Sequence, residues 1–159
     1  MGAFITKSRL LEVSYLIYMV FPVIIYYINS KIIIEGCIKM KTIFVVDDNG
    51  VNLLMVEQAL LDHFEVITMS SAATMFELFD TIIPDMILLD IMMPDMNGFE
   101  VLAQLKSNAQ YAKIPVIFLT SKNDADTEAL GYEKGVTGFI KKPFSKLVLL
   151  SYIKNILEL

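Results

Sequence analysis

A chain of 159 residues can hold one domain with a proper core plus an appendage, but not two full domains. It is 55% hydrophobic and 19% charged, and its mean hydropathy is +0.59. One cysteine, Cys37, excludes an intramolecular disulfide and suits the cytosol, and one histidine, His63, sets aside a Cys/His zinc site and Ser-His-Asp or Cys-His catalysis.

The first forty residues carry four Lys/Arg and two Glu around a long apolar run. Residues 41 to 159 therefore hold nine Lys/Arg against sixteen Asp/Glu, a net of −7. Such an acidic surface is a poor electrostatic match for nucleic acid, so no direct nucleic-acid binding is expected. Val13 to Ser30 are eighteen uncharged residues, just long enough to cross a bilayer as a helix. Tyr15, Tyr18, Tyr26 and Tyr27 resemble interfacial aromatics, while Pro22 would kink a helix in the middle. Three readings of residues 1 to 40 stand side by side: a marginal membrane anchor over 13 to 30, a cleaved signal peptide lacking a small-residue cleavage site, and a mis-assigned start with Met40 as the true first residue.

From Lys41 short apolar runs alternate with amphipathic stretches. Ile43 to Val46 is a buried strand by length and β-branching, ending at Asp47-Asp48. Asn52 to Asp62 has apolar residues at helical spacing. Phe64 to Met69 reads as the second strand and Ala72 to Thr81 as the second helix. Met86 to Leu89 is a third, wholly apolar strand closing on Asp90; Pro94 to Gly98 is a loop, and a helix follows through Leu102 and Leu105. Val116 to Leu119 is the fourth strand, ending at Thr120-Ser121, and Asp124 to Lys134 is helical. Phe139 to Lys141 is a short fifth strand stopped by Pro143, and Lys146 to Leu157 is the last helix. Five such units with continuous apolar strands predict a parallel sheet covered on both faces.

Open parallel sheets bind ligands beyond the C-terminal strand ends, at the point where strand order switches. The polar residues fall at those ends: Asp47 and Asp48 after the first strand, Asp90 after the third, Thr120 after the fourth, Lys142 after the fifth. Three carboxylates in one crevice repel each other, and a hard divalent cation relieves that; Mg²⁺ with one or two carboxylates, a carbonyl and waters suits the geometry. A carboxylate is a weak nucleophile, so phosphoryl transfer to it relies on positioning and charge neutralisation. Lys142 can offer an ammonium to one phosphoryl oxygen and Thr120 a hydroxyl to another.

Each residue also has a plainer reading. Asp47 and Asp48 could be helix N-caps, Thr120 a strand-end cap, and Phe139 plain core. Lys142 could be an ordinary exposed lysine, as Lys141 is expected to be; its place before Pro143 selects it, since alternation points only one of the two inward. His63 reads as an exposed residue at a helix end, and Met92, Met93 and Met96 as packing residues near the crevice.

The segments Val45-Val46-Asp47-Asp48-Asn49-Gly50-Val51-Asn52, Leu88-Leu89-Asp90-Ile91-Met92-Met93-Pro94-Asp95-Met96-Asn97-Gly98, Val116 to Ser121 and Gly138 to Phe144 resemble the response-regulator receiver family of two-component signalling. The spacings of 30 residues from Asp90 to Thr120 and 22 from Thr120 to Lys142 fit that family, and the resemblance covers 41 to 159. It implies a flavodoxin-like (βα)5 fold with strand order 2-1-3-4-5 and Asp90 as phosphoacceptor. It further implies Asp47, Asp48, Asp90 and the Met92 carbonyl as ligands of Mg²⁺, Thr120 and Lys142 as phosphoryl-binding groups, and Phe139 as an aromatic switch. A histidine kinase or phosphotransfer protein would be the donor and a protein the downstream target, in the cytoplasm, with no enzymatic activity beyond the chain's own phosphorylation and dephosphorylation. Gly50 stands where relatives often have Pro. Rival expectations are a fragment of a larger regulator lacking its output domain, a membrane-tethered module using residues 13 to 30, and a Mg²⁺-dependent phosphatase. The last needs a second Asp where this chain has Met92.

Overall fold

The structure, a computed structural model, describes residues 25–28, 31–34, 40–121 and 125–159. The chain separates into two units, residues 1–39 and 40–159. Of the first, two short strands are described, Ile25–Ile28 and Lys31–Ile34, paired antiparallel. The C-terminal part of the apolar run is thus a strand where a helix over 13 to 30 had been one expectation, because Ile25 to Ile28 pair their backbones with the residues that follow. The rest of that run and Cys37 lie outside the described residues. Among the described residues no helix is long and apolar enough to cross a membrane.

The second unit alternates strictly: β1 (Thr42–Val46), α1 (Gly50–Leu60), β2 (Glu65–Met69), α2 (Ala72–Leu78), β3 (Met86–Asp90), α3 (Gly98–Ser107), β4 (Val116–Thr120), α4 (Ala125–Glu133), β5 (Gly138–Lys141) and α5 (Lys146–Ile156). All strands are parallel, in the order β2-β1-β3-β4-β5. The three inner strands β1, β3 and β4 are buried at every residue, which is why they read as unbroken apolar runs. Alternation then divides the core into two layers. Ile43, Val45, Leu88, Ile117 and Ile140 pack with Val56 and Leu60 of α1 and Leu149 and Ile153 of α5. Phe44, Val46, Ile87, Leu89 and Phe118 pack on the other face with Met75 of α2 and with Val101, Leu102 and Leu105 of α3. Each fully buried side chain of this size contributes about 1.5–3 kcal/mol relative to exposure.

Caps fix where the helices begin. Asn49 accepts from the N–H groups of Val51 and Asn52, so α1 starts at Gly50, two residues before the expected position. Neither Asp47 nor Asp48 is the cap. Asn97 and Glu100 form a reciprocal capping box on α3, and the Ser71 and Ser145 hydroxyls cap α2 and α5. The second helix stops at Leu78, three residues early, where Ile82 N–H and the Thr81 hydroxyl both turn back onto the Leu78 carbonyl.

Candidate functional site

The order of the strands places the switch point between β1 and β3, since the chain proceeds from β1 to one edge through β2 and to the other through β4 and β5. The polar residues that close these strands meet there. Asp47 follows β1, with its N–H donating to the Met69 carbonyl (3.2 Å), and its side chain is 1% exposed. Asp90 ends β3, in register with Leu119, and Thr120 is the next residue along β4. Both Asp90 and Thr120 are buried.

Lys142 joins them through a continuation of the sheet. Thr120 pairs with Lys141, and the Lys142 N–H donates to the Thr120 carbonyl at 2.8 Å, one residue beyond β5. Alternation sends the two lysines apart. Lys141 is exposed and pairs with Glu128 at 3.0 Å. Lys142 turns inward, its Nζ 2.6 Å from Asp47 Oδ2 and 2.5 Å from Asp90 Oδ1. The peptide bond between Lys142 and Pro143 is cis.

Backbone and amide donors complete the pocket. Met92 N–H donates to Asp90 Oδ2 at 2.6 Å, while the Met92 side chain is exposed. Asp47 Oδ1 accepts from the Asn49 N–H at 2.9 Å, and the Asn52 side-chain amide spans Oδ1 and Oδ2 of Asp47 at 3.1 and 3.0 Å.

Burial raises the Asp90 carboxyl above its ordinary value; Lys142 opposes this through its hydrogen bond and charge, and Asp47 adds to it by repulsion. For Lys142, burial pulls the ammonium down, but the hydrogen bonds and charges of Asp47 and Asp90 outweigh that and hold it above its ordinary value. The pocket is thus built around a positive charge held between two buried carboxylates.

That observation bears on a cation. Asp47 and Asp90 are hard oxygen donors that converge on one cationic nitrogen, the arrangement a divalent ion of the Mg²⁺ kind requires of its carboxylates. The donor set fits. The sequence expectation of three converging carboxylates differs from the arrangement found: Asp48 is exposed, and among the described residues no three carboxylate, imidazole or thiolate side chains form a metal-binding group. The Lys142 ammonium lies between the other two.

Two glycines shape the surroundings. A Cβ on Gly98 would lie 2.6 Å from the Asp90 carbonyl oxygen and 2.9 Å from Ile91 Cα, so its absence lets the start of α3 close against the end of β3. The Gly98 N–H donates to the Ile91 carbonyl at 2.9 Å. A Cβ on Gly131 of α4 would collide with the Phe139 ring, which is half-buried between Phe118 (centroids 5.5 Å apart) and Tyr132 (5.3 Å). His63 is exposed in the turn after α1, away from these side chains' hydrogen bonds. Sequence reasoning had not singled out Asn52, Gly98 or Gly131. The only signal for Asn52 was its place in the acidic-pair segment.

Residues 43–154 match the family model described as the response regulator receiver domain. A curated relative, a probable cyclic di-GMP phosphodiesterase of Vibrio cholerae, is 37% identical over 117 residues, spanning 74% of this chain and 26% of that protein. The chain therefore matches about a quarter of that relative's length. Among solved structures, the Vibrio cholerae chemotaxis protein CheY4 is 29% identical with a TM-score of 0.70, covering 74% of this chain and 98% of its own. The BeF3-activated receiver domain of DrrB, a Thermotoga maritima protein, is 30% identical with a TM-score of 0.69, covering 76% and 99%.

Proposed function

The chain belongs to the response regulator receiver domain family of two-component signalling, and from that membership we propose that Asp90 is its phosphoacceptor, charged from a phosphohistidine of a histidine kinase or phosphotransfer protein. One observation carries the reading: side chains from the ends of β1, β3 and β5 meet in a single buried cluster at the switch point, with the Lys142 ammonium between Asp47 and Asp90. A fold alone would not demand this.

In the proposed step one Asp90 carboxylate oxygen forms a new O–P bond while the P–N bond to the donor imidazole breaks, the electron pair leaving with the nitrogen. Burial raises the Asp90 carboxyl above its ordinary value, and the Lys142 and Met92 donors oppose that while holding both of its oxygens in place. Lys142, freed from Asp90 Oδ1 by the incoming phosphoryl group, is placed to take one of its oxygens, and the Thr120 hydroxyl to take another. Asp47 and Asp90, joined by the exposed Asp48 and the Met92 carbonyl on the family reading, would hold Mg²⁺, which would supply charge neutralisation on the transferring group. Phosphorylation adds about −1.5 to −2 charges where two carboxylates already sit. A shift of Thr120 toward the new group would free space beside Phe118 and draw Phe139 inward, changing the protein-binding face made of α4, β5 and α5.

The phosphodiesterase activity named for the Vibrio cholerae relative is not carried over, because the match covers a quarter of that protein. The experiment is phosphorylation of the chain by acetyl phosphate with and without Mg²⁺, read by intact mass, beside Asp90→Asn. A Mg²⁺-dependent adduct lost in the variant is the expected result. A folded protein that takes no phosphoryl group would reduce the chain to a binding module of the same fold.

A further inference from the structure

Asp47 is the most enclosed side chain of the cluster, and its carboxyl group is oriented from three sides. Lys142 Nζ reaches Oδ2, the Asn49 N–H reaches Oδ1, and the Asn52 amide nitrogen lies at 3.0 and 3.1 Å from the two oxygens. The three partners differ in what they can do. Lys142 is an ammonium that Asp90 shares, so its contacts must redistribute when a cation or a phosphoryl group enters. The Asn49 N–H touches one oxygen only and leaves the carboxylate free to rotate about its last torsion. The Asn52 amide fixes that torsion, since a single group facing both oxygens sets the carboxylate plane. It is neutral, so it fills lone pairs without competing with a cation for charge.

The position of Asn52 is itself well determined. Asn49 caps α1 by accepting from the Asn52 and Val51 N–H groups, which locks the first helical turn on which the Asn52 side chain is mounted. Asn52 also lines, with Met55, Ser121, Lys142, Pro143 and Phe144, a cavity of about 380 Å³ beside the Lys142 stem. The amide therefore stands between the acceptor cluster and open space.

We propose that Asn52 is the positioning residue of Asp47, holding its carboxylate in the cation-binding orientation independently of where the Lys142 ammonium lies. The assignment rests on the receiver reading, in which Asp47 is a Mg²⁺ ligand. Partners behind a metal ligand typically set affinity by about 10–100-fold. Asn52→Ala weakens Mg²⁺ binding about tenfold or more, while the maximal rate of adduct formation at saturating Mg²⁺ stays within about threefold of wild type, because Asn52 touches neither Asp90 nor the transferring group.

The test is calorimetric titration of Mg²⁺ into the full wild-type chain and into Asn52→Ala, with thermal unfolding in chelator and acetyl phosphate rates across Mg²⁺ concentration. Because the cavity lets water replace a deleted amide, Asn52→Leu, which keeps the volume and excludes water, is measured beside it and should match or exceed the loss. Weaker Mg²⁺ binding in both variants with a largely preserved maximal rate supports the proposal. Unchanged Mg²⁺ affinity with a lowered unfolding temperature overturns it, leaving Asn52 a helix-start residue only. A wild-type chain that binds no Mg²⁺ overturns the receiver reading and this assignment together, whereas normal wild-type binding with unaffected variants overturns the assignment alone.

Discussion

Lys142 Nζ lies 2.5 Å from Asp90 Oδ1, closing a gap of 52 residues in sequence, and the same nitrogen holds Asp47 at 2.6 Å. One ammonium thus balances two buried carboxylates. Lys142→Met removes it and leaves the two acids facing each other. Breaking a buried pair costs about 3–5 kcal/mol; with Lys142 still partly reached by solvent, a loss of about 2–4 kcal/mol is expected. Urea unfolding in chelator measures it. In wild type the contribution is complete below 10.5 and fades as pH rises through the elevated folded value of Lys142. A variant as stable as wild type would show that the pair is not formed in solution.

Asp90→Asn should stabilise the protein without metal at neutral pH. Burial raises the Asp90 carboxyl, so between its ordinary value of 3.8 and the higher folded value the native state holds more proton than the unfolded chain. Stability therefore falls across that window as pH rises, and the ionised form remains a cost above it. Asn carries no charge to desolvate. Urea midpoints taken stepwise upward from pH 3.8 should diverge in favour of the variant. Parallel curves would contradict the assignment of burial as the dominant effect.

Gly50 and Gly98 should respond in opposite directions to substitution. At Gly50, the first residue of α1, nothing lies within 4 Å of an added Cβ, and the Asn49 cap uses the N–H groups of Val51 and Asn52 instead. Asn49 is extended (φ −92°, ψ 110°), the conformation a following proline requires. Gly50→Pro should raise unfolding free energy by about 0.4–1 kcal/mol by restricting the unfolded chain, with adduct formation unchanged. A destabilised Gly50→Pro would mean the first turn is not held as described.

Gly98→Ala brings a Cβ against backbone atoms of Asp90 and Ile91, which cannot step aside as a flexible side chain could. About 1–3 kcal/mol of destabilisation is expected from overpacking. Because the displaced backbone carries Asp90 itself, the acetyl phosphate rate should fall as well, beyond what partial unfolding explains. Loss of stability with a normal rate per folded molecule would separate the packing role from the site.

The alternation of strands and helices was legible in residues 41 to 159 because buried parallel strands admit only apolar side chains, and the acids, Thr120 and Lys142 interrupt them at their ends. Alternation allowed only one of Lys141 and Lys142 to point inward, and the place directly before Pro143 selected Lys142. Interactions closed by the third dimension left no comparable trace. Asp47 and Lys142 are 95 residues apart, and whether an ammonium or a third carboxylate completes their pocket depends on the approach of three loops. The demand for glycine at positions 98 and 131 arises from the backbone of β3 and the ring of Phe139, neither of them a sequence neighbour. The role of Asn52 likewise depends on the angle at which α1 leaves its cap. Periodicity is a property of one segment against a generic interior, so one segment can reveal it; the partner of a given atom depends on distances between segments, and those exist only after the sheet has ordered its strands.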